Sequence, residues 1–128
     1  MVRRSGSVEV AHDAFRDQAL DDLDELIDEV AEARKDLRSY QSLLEKNRRH
    51  LAVGGRASDM AVRFDVPSVR TSLTDRLDCV ERARNASRRS LWRMQASEGR
   101  TIAEIARMWG LSRQLISRAL KSGDTEHR

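Results

Sequence analysis

Aromatic residues are scarce, at 4% of a 128-residue chain, so no large aromatic core is available. Proline occurs once and glycine six times, which withholds the turn signals that frequent strand reversals need and favours long helices. Internal repeats are absent and alternating apolar residues are rare. The single cysteine, Cys79, cannot close a disulfide within the chain. It lies in an Arg- and Asp-rich helical stretch far in sequence from any histidine, as a buried or idle thiol would. No apolar run approaches the length needed to cross a bilayer, and the opening MVRRSGSVEV lacks the apolar centre of a signal peptide. The expectation is a cytoplasmic, nucleoid-associated protein with no membrane partner. Signatures of catalysis are missing as well. There is no phosphate-binding glycine loop, no cysteine pair and no HExxH element, and His12, His50 and His127 are scattered. The many aspartates of the first half follow an exposed helical face with nothing apolar around them to shift a pKa. The sequence thus reads as a chain that is not an enzyme and has no cofactor and no metal.

What is present is charge, and its distribution says more than its formal net value of +3. Glu9 to Lys46 holds twelve acidic residues against five basic ones, whereas Arg82 to Lys121 holds ten basic against Glu98 and Glu104 alone. The basic block is the electrostatic footprint of a polyanion binder. The acidic block would repel phosphate, so the halves are expected to have separate roles.

A heptad stripe runs through the first half. With Leu23, Val30, Leu37, Leu44 and Leu51 at a, the d positions are Ala19, Leu26, Ala33, Tyr40 and Asn47. Leu20 and Ile27 widen that face, and Gly54 and Gly55 stop the helix. A second helix is expected from Pro67, carrying Val69, Leu73, Leu77, Val80, Ala83 and Ala86 at helical spacing. A stripe of this length requires cover, from that second helix, from another copy of the chain, or from both. Leu23, Leu26, Ile27, Val30, Leu37, Tyr40, Leu44 and Leu51 are therefore the candidate dimerisation residues of a homodimer. Between the helices, Met60, Val62, Phe64 and Val66 alternate with Ala61, Arg63 and Asp65, a period of two that suits a short strand. With no second strand to pair with, a packed loop or a helical turn is the competing outcome.

The second half holds the motif that points to function. Asn85 to Ser97 is helix-forming, with Leu91, Trp92 and Met94 as anchors, and Glu98 and Gly99 close it. Thr101 with Glu104 forms a capping box that starts a further helix, which breaks at Gly110. Ser112 caps a last helix whose Leu115, Ile116 and Ala119 face back toward Ile102, Ile105 and Ala106. The outward side chains are then Arg113, Gln114, Ser117, Arg118 and Lys121, on a helix that fits the DNA major groove.

Thr101 to Lys121 resembles the helix-turn-helix of bacterial repressors, of the DNA-binding end of resolvases and of the promoter-reading region of sigma factors. The resemblance rests on a small residue inside the first helix (Ala106), glycine at the turn (Gly110), a β-branched aliphatic six residues later (Ile116), and apolar Ile105, Leu111 and Ala119. Trp109 departs from it, being bulky where a smaller aliphatic is usual, and is expected to pack against Leu91 or Trp92. The resemblance does not reach Met1 to Ala83, nor does it carry over resolvase catalysis.

The architecture expected is all-α: a flexible N-terminus (1–8), a helical hairpin or coiled coil (9–84), a three-helix helix-turn-helix domain (85–121) and a flexible tail (122–128). The function expected is sequence-specific binding of double-stranded DNA by a dimeric bacterial regulator. Arg113, Gln114, Ser117 and Arg118 would read bases, while Thr101, Ser112, Lys121, Arg100, Arg93, Arg89 and Arg88 would meet phosphates. The competing reading is an adaptor whose acidic helix contacts a protein of the transcription machinery.

Overall fold

In the computed structural model the backbone of residues 2–122 and the side chains of residues 9–121 are described. Five helices follow one another: α1 (Val2–Ala52), α2 (Ala57–Arg63), α3 (Val66–Ser97), α4 (Ile102–Trp109) and α5 (Arg113–Ser122). Among the described residues there is no strand, and the fold is all-α as expected. No helix among them is long and apolar enough to cross a membrane. α1 begins at Val2 and so takes in most of the stretch expected to lie outside it. The tail expected at 122–128 lies, Ser122 apart, outside the described residues. The helix expected from Pro67 and the one expected over Asn85–Ser97 are a single helix of 32 residues, α3, since neither glycine nor proline interrupts the chain between Ser68 and Glu98.

Two compact units divide the chain: Leu26–Arg82 forms one, and the residues up to Glu25 join those from Ala83 onward to form the other. In the Leu26–Arg82 unit, α1 and α3 pair antiparallel. Arg76 on α3 donates to Glu29 at 3.0 Å and to Asp36 at 2.9 Å on α1. Tyr40 and Leu43 line one cavity, of about 580 Å³, together with Val69 and Leu73. The two carboxylates raise the already high pKa of Arg76, so that side chain is held as a cation. The d line of the heptad turns inward: Ala33 is buried, and Leu26, Tyr40 and Asn47 are half-buried. The alanine lets the paired helix approach closely. The a line does not share that cover, for Val30, Leu37, Leu44 and Leu51 are 41–47% exposed, and Ile27 on the flank of that line is 63% exposed.

The alternating stretch forms no strand. Met60 and Phe64, four residues apart, are half-buried along one side of the short α2, whereas Val62 between them is exposed. The apparent period of two is thus two different helical faces read as one. Asp65, at φ 49°, then turns the chain into α3. Aspartate tolerates this left-handed region better than most residues do.

In the second unit, Ala83, Ser87 and Ser90 recur at four- and three-residue steps and are all buried, as is Ala19 on α1. Small side chains at these steps form a flat helical face. Ser90 donates to Asp22, and the His12 ring lies 2.8 Å from the Glu98 carboxylate. At the far end of α3, Trp92 joins Ile105, Ala106 and Ile116 in a core that Trp109, Leu111, Ala119 and Leu120 complete.

Candidate nucleic-acid interface

α4 is an amphipathic helix of eight residues whose ends are set by local chemistry. At its start the Thr101 hydroxyl accepts from the Glu104 N–H, and the Glu104 carboxylate accepts from the Thr101 N–H, each at 3.1 Å. This reciprocal box satisfies two backbone donors that a helix start otherwise leaves open. The hydrogen bonds from Thr101 and from Arg100 hold the Glu104 carboxyl below the usual glutamate range. At its end Gly110 takes φ 65° and ψ 34°, the left-handed conformation. The Leu111 N–H then reaches the Ala106 carbonyl at 2.9 Å, closing α4 and aiming the chain into α5.

A Cβ at Gly110 would meet no atom within 4 Å, so only backbone conformation opposes a side chain there. Gly110→Ala is expected to cost about 1–2 kcal/mol and Gly110→Asn clearly less, because asparagine visits this region more readily. Thermal unfolding of the two variants followed by tryptophan fluorescence checks this, and equal melting temperatures for alanine and glycine would refute it.

α5 is fixed from below. Ile116 is fully buried and Ala119 and Leu120 pack on the same core. Trp109 meets Trp92 edge-on, with ring centroids 5.8 Å apart at 90°, as its bulk required. Its Nε1 donates to Gln95 Oε1 at 2.8 Å, tying α4 to α3. Trp92 Nε1 is buried without a hydrogen-bond partner, so that ring acts through its faces and edges and not through its N–H. Ser112 caps α5, its hydroxyl accepting from the Leu115 N–H at 3.1 Å.

With one side of α5 held, the opposite side is presented. Arg113, Gln114 and Arg118 are exposed and Ser117 is half-buried. Together with Ile102 from α4 they line one shallow concavity of about 560 Å³. The four residues expected to read bases are therefore side by side, and Lys121 is exposed in the last turn of the same helix.

The seven residues expected at phosphates are placed less evenly. Arg88 donates to the Asn85 side chain, its guanidinium lies 5.7 Å from the Trp92 ring centroid, and its Nε is buried without a partner. It serves the tryptophan core. Arg100 is paired with Glu104 at 3.1 Å, which halves its use to a polyanion. Thr101 spends its hydroxyl on the capping box, and the carboxylate beside it opposes an anion at that helix start. The start of α5 has no acidic residue in its first turn, so Ser112 stands at the better of the two positions for phosphate. Arg89 and Arg93, half-buried, remain on α3. On α4 and α5 one exposed cation went unassigned in the sequence: Arg107, in the last turn of α4. Its place in the basic block was the available signal. Gln95 was also missed, because a polar side chain inside a helix reveals nothing of a tryptophan fourteen residues away. Among the described residues no group of His, Cys, Asp or Glu is arranged to hold a metal ion.

No protein-family model, curated protein or solved structure matches the chain.

Proposed function

We propose that the chain binds double-stranded DNA through α4 and α5, with α5 in the major groove, and acts as a dimeric regulator of transcription. The observation that carries this reading is the presentation of Arg113, Gln114, Ser117 and Arg118 on one concave surface of a helix whose other side is locked by Ile116. Arg113 has the bidentate geometry for guanine and Gln114 that for adenine, each worth about 1–3 kcal/mol of discrimination. The left-handed glycine turn and the capped α4 are what the resemblance to bacterial helix-turn-helix proteins calls for. Lys121, Arg107 and the start of α5 at Ser112 supply cations and backbone donors for phosphate. The function is one of binding, with no reacting group assigned.

The decisive experiment is a titration of genomic duplex fragments with the wild-type protein and with Arg113→Ala/Gln114→Ala. Both side chains are exposed, so the variant is expected to fold. Wild type should select certain fragments and bind them at least about tenfold more tightly than random duplex, and the variant should lose that preference. Absence of duplex binding by the wild type at low salt overturns the proposal.

A second reading is favoured by the exposed a line of α1, which fits a protein partner better than nucleic acid. In that reading the chain is an adaptor to the transcription machinery, and α1 makes the contact.

A further inference from the structure

Ile27, Val30, Leu37, Leu44 and Leu51 leave an apolar line along α1 in the Leu26–Arg82 unit, each residue 41–63% exposed. On a helix of 3.6 residues per turn Val30, Leu37, Leu44 and Leu51 follow one slowly drifting stripe beside the d line that packs within the chain, with Ile27 on its flank. Isolated apolar residues at a surface are ordinary, but a heptad row of them is the pattern of a helix that lacks its mate.

What that mate is follows from charge. α1 changes sign along its length. From Glu9 to Glu32 it carries ten acidic residues and one basic residue, Arg16. From Ala33 to Leu51 it carries six basic residues against Asp36 and Glu45. The change falls between Glu32 and Arg34, inside the apolar line. A helix with such a pattern is complementary to itself reversed, and repels itself in parallel, where acid would lie on acid and base on base.

We infer that the exposed line of α1 pairs antiparallel with the same line of a second copy of this chain, across a two-fold axis near Glu32. This rests on the dimer reading above and adds its direction and its register. Ile27 of each copy then meets Leu37 of the other. Ala31, on the flank of the stripe, is small enough for the backbones to approach at the axis. Arg34 and Arg38 of each copy lie against the acidic stretch of the other, with Arg38 close to Asp24 on the same flank of the stripe. The interface is isologous, as two-fold dimers are, and the charges fix the direction while the apolar line supplies the attraction.

Thiol cross-linking tests it in the absence of DNA, using full-length protein in a Cys79→Ser background and a short bis-maleimide. Val30→Cys, beside the axis, should cross-link with itself. Leu51→Cys should not, because about nineteen residues of helix on each side of the axis would hold the two thiols about 57 Å apart. A mixture of Ile27→Cys and Leu37→Cys should give the mixed product. Self-cross-linking of Leu51→Cys overturns the antiparallel arrangement, and a wild type that sediments as a monomer overturns the pairing altogether. Charge reversal gives an independent sign. Arg34→Glu/Arg38→Glu should weaken dimerisation about tenfold at low salt, and adding Asp24→Lys should restore part of it. A parallel dimer would be strengthened or unmoved by the first pair. Loss of cross-linking alongside selective DNA binding in the titration above would remove only the pairing, and the reverse outcome only the DNA reading.

Discussion

Ile116→Ala is expected to destabilise the unit that holds α4 and α5 by about 2–5 kcal/mol. Ile116 is 0% exposed and lies in the same core as Ile105, Ala106 and Trp92. Truncating it removes three carbons from a site walled by α3 and α4, where α4 is held to α5 by a short turn and to α3 by the Trp109–Gln95 hydrogen bond, so the cavity has little freedom to collapse. Small domains have only about 5–15 kcal/mol of net stability, so this one change consumes a large share of it. Leu115, the adjacent residue, is 37% exposed and provides the internal control, with an expected loss for Leu115→Ala of about 1 kcal/mol or less. Both tryptophans of the chain stand in or against this core, so their fluorescence in a urea titration reports its unfolding directly. Equal losses for the two variants would mean that α5 is not held by Ile116, and the presentation of Arg113 and Gln114 would lose its physical basis.

The parts of this molecule that could be read from the residues are those whose causes are local. The Thr101–Glu104 box spans three residues, and the turn at Gly110 is specified by one residue that tolerates positive φ. Both appear in the structure where the sequence located them. The same holds for the end of α1, which stops at Ala52 ahead of Gly54 at φ 92°. Pairing across long separations was not legible. Arg76 joins Glu29 and Asp36 over 47 and 40 residues, and Ser90 joins Asp22 over 68. A heptad pattern states that a face is apolar and leaves open what covers it. Only the fold shows that the d line, with Ala33, is covered within the chain while Leu37 and Leu44 on the a line are not. In the candidate interface, helical periodicity was enough to put Arg113, Gln114, Ser117 and Arg118 on one surface. Arg88 and Arg100 were misleading because charge type alone cannot tell a cation that stacks on Trp92, or pairs with Glu104, from one available to phosphate.

Salt dependence separates the DNA reading from its competitor by the widest margin. Each phosphate neutralised by a cation releases condensed counterions, so the logarithm of affinity falls with the logarithm of salt at about −0.9 per contact. Lys121 and Arg107 offer two such contacts per protomer and four per dimer. Four contacts imply a loss of about 150-fold in affinity between about 50 and 200 mM salt. Lys121→Ala, altered in both protomers, should flatten the slope by about two while leaving the preference among sequences intact, since a phosphate contact carries no base information. Arg113→Ala should do the opposite, removing preference with little change in slope. An adaptor that docks through the apolar line of α1 has no counterions to release, and its binding would be held or strengthened by added salt. The measurement is duplex binding by fluorescence anisotropy across the salt series. A slope near zero would exclude phosphate contact as the source of affinity, and a slope near half the expected value would mean that a single protomer, not a pair, meets the DNA.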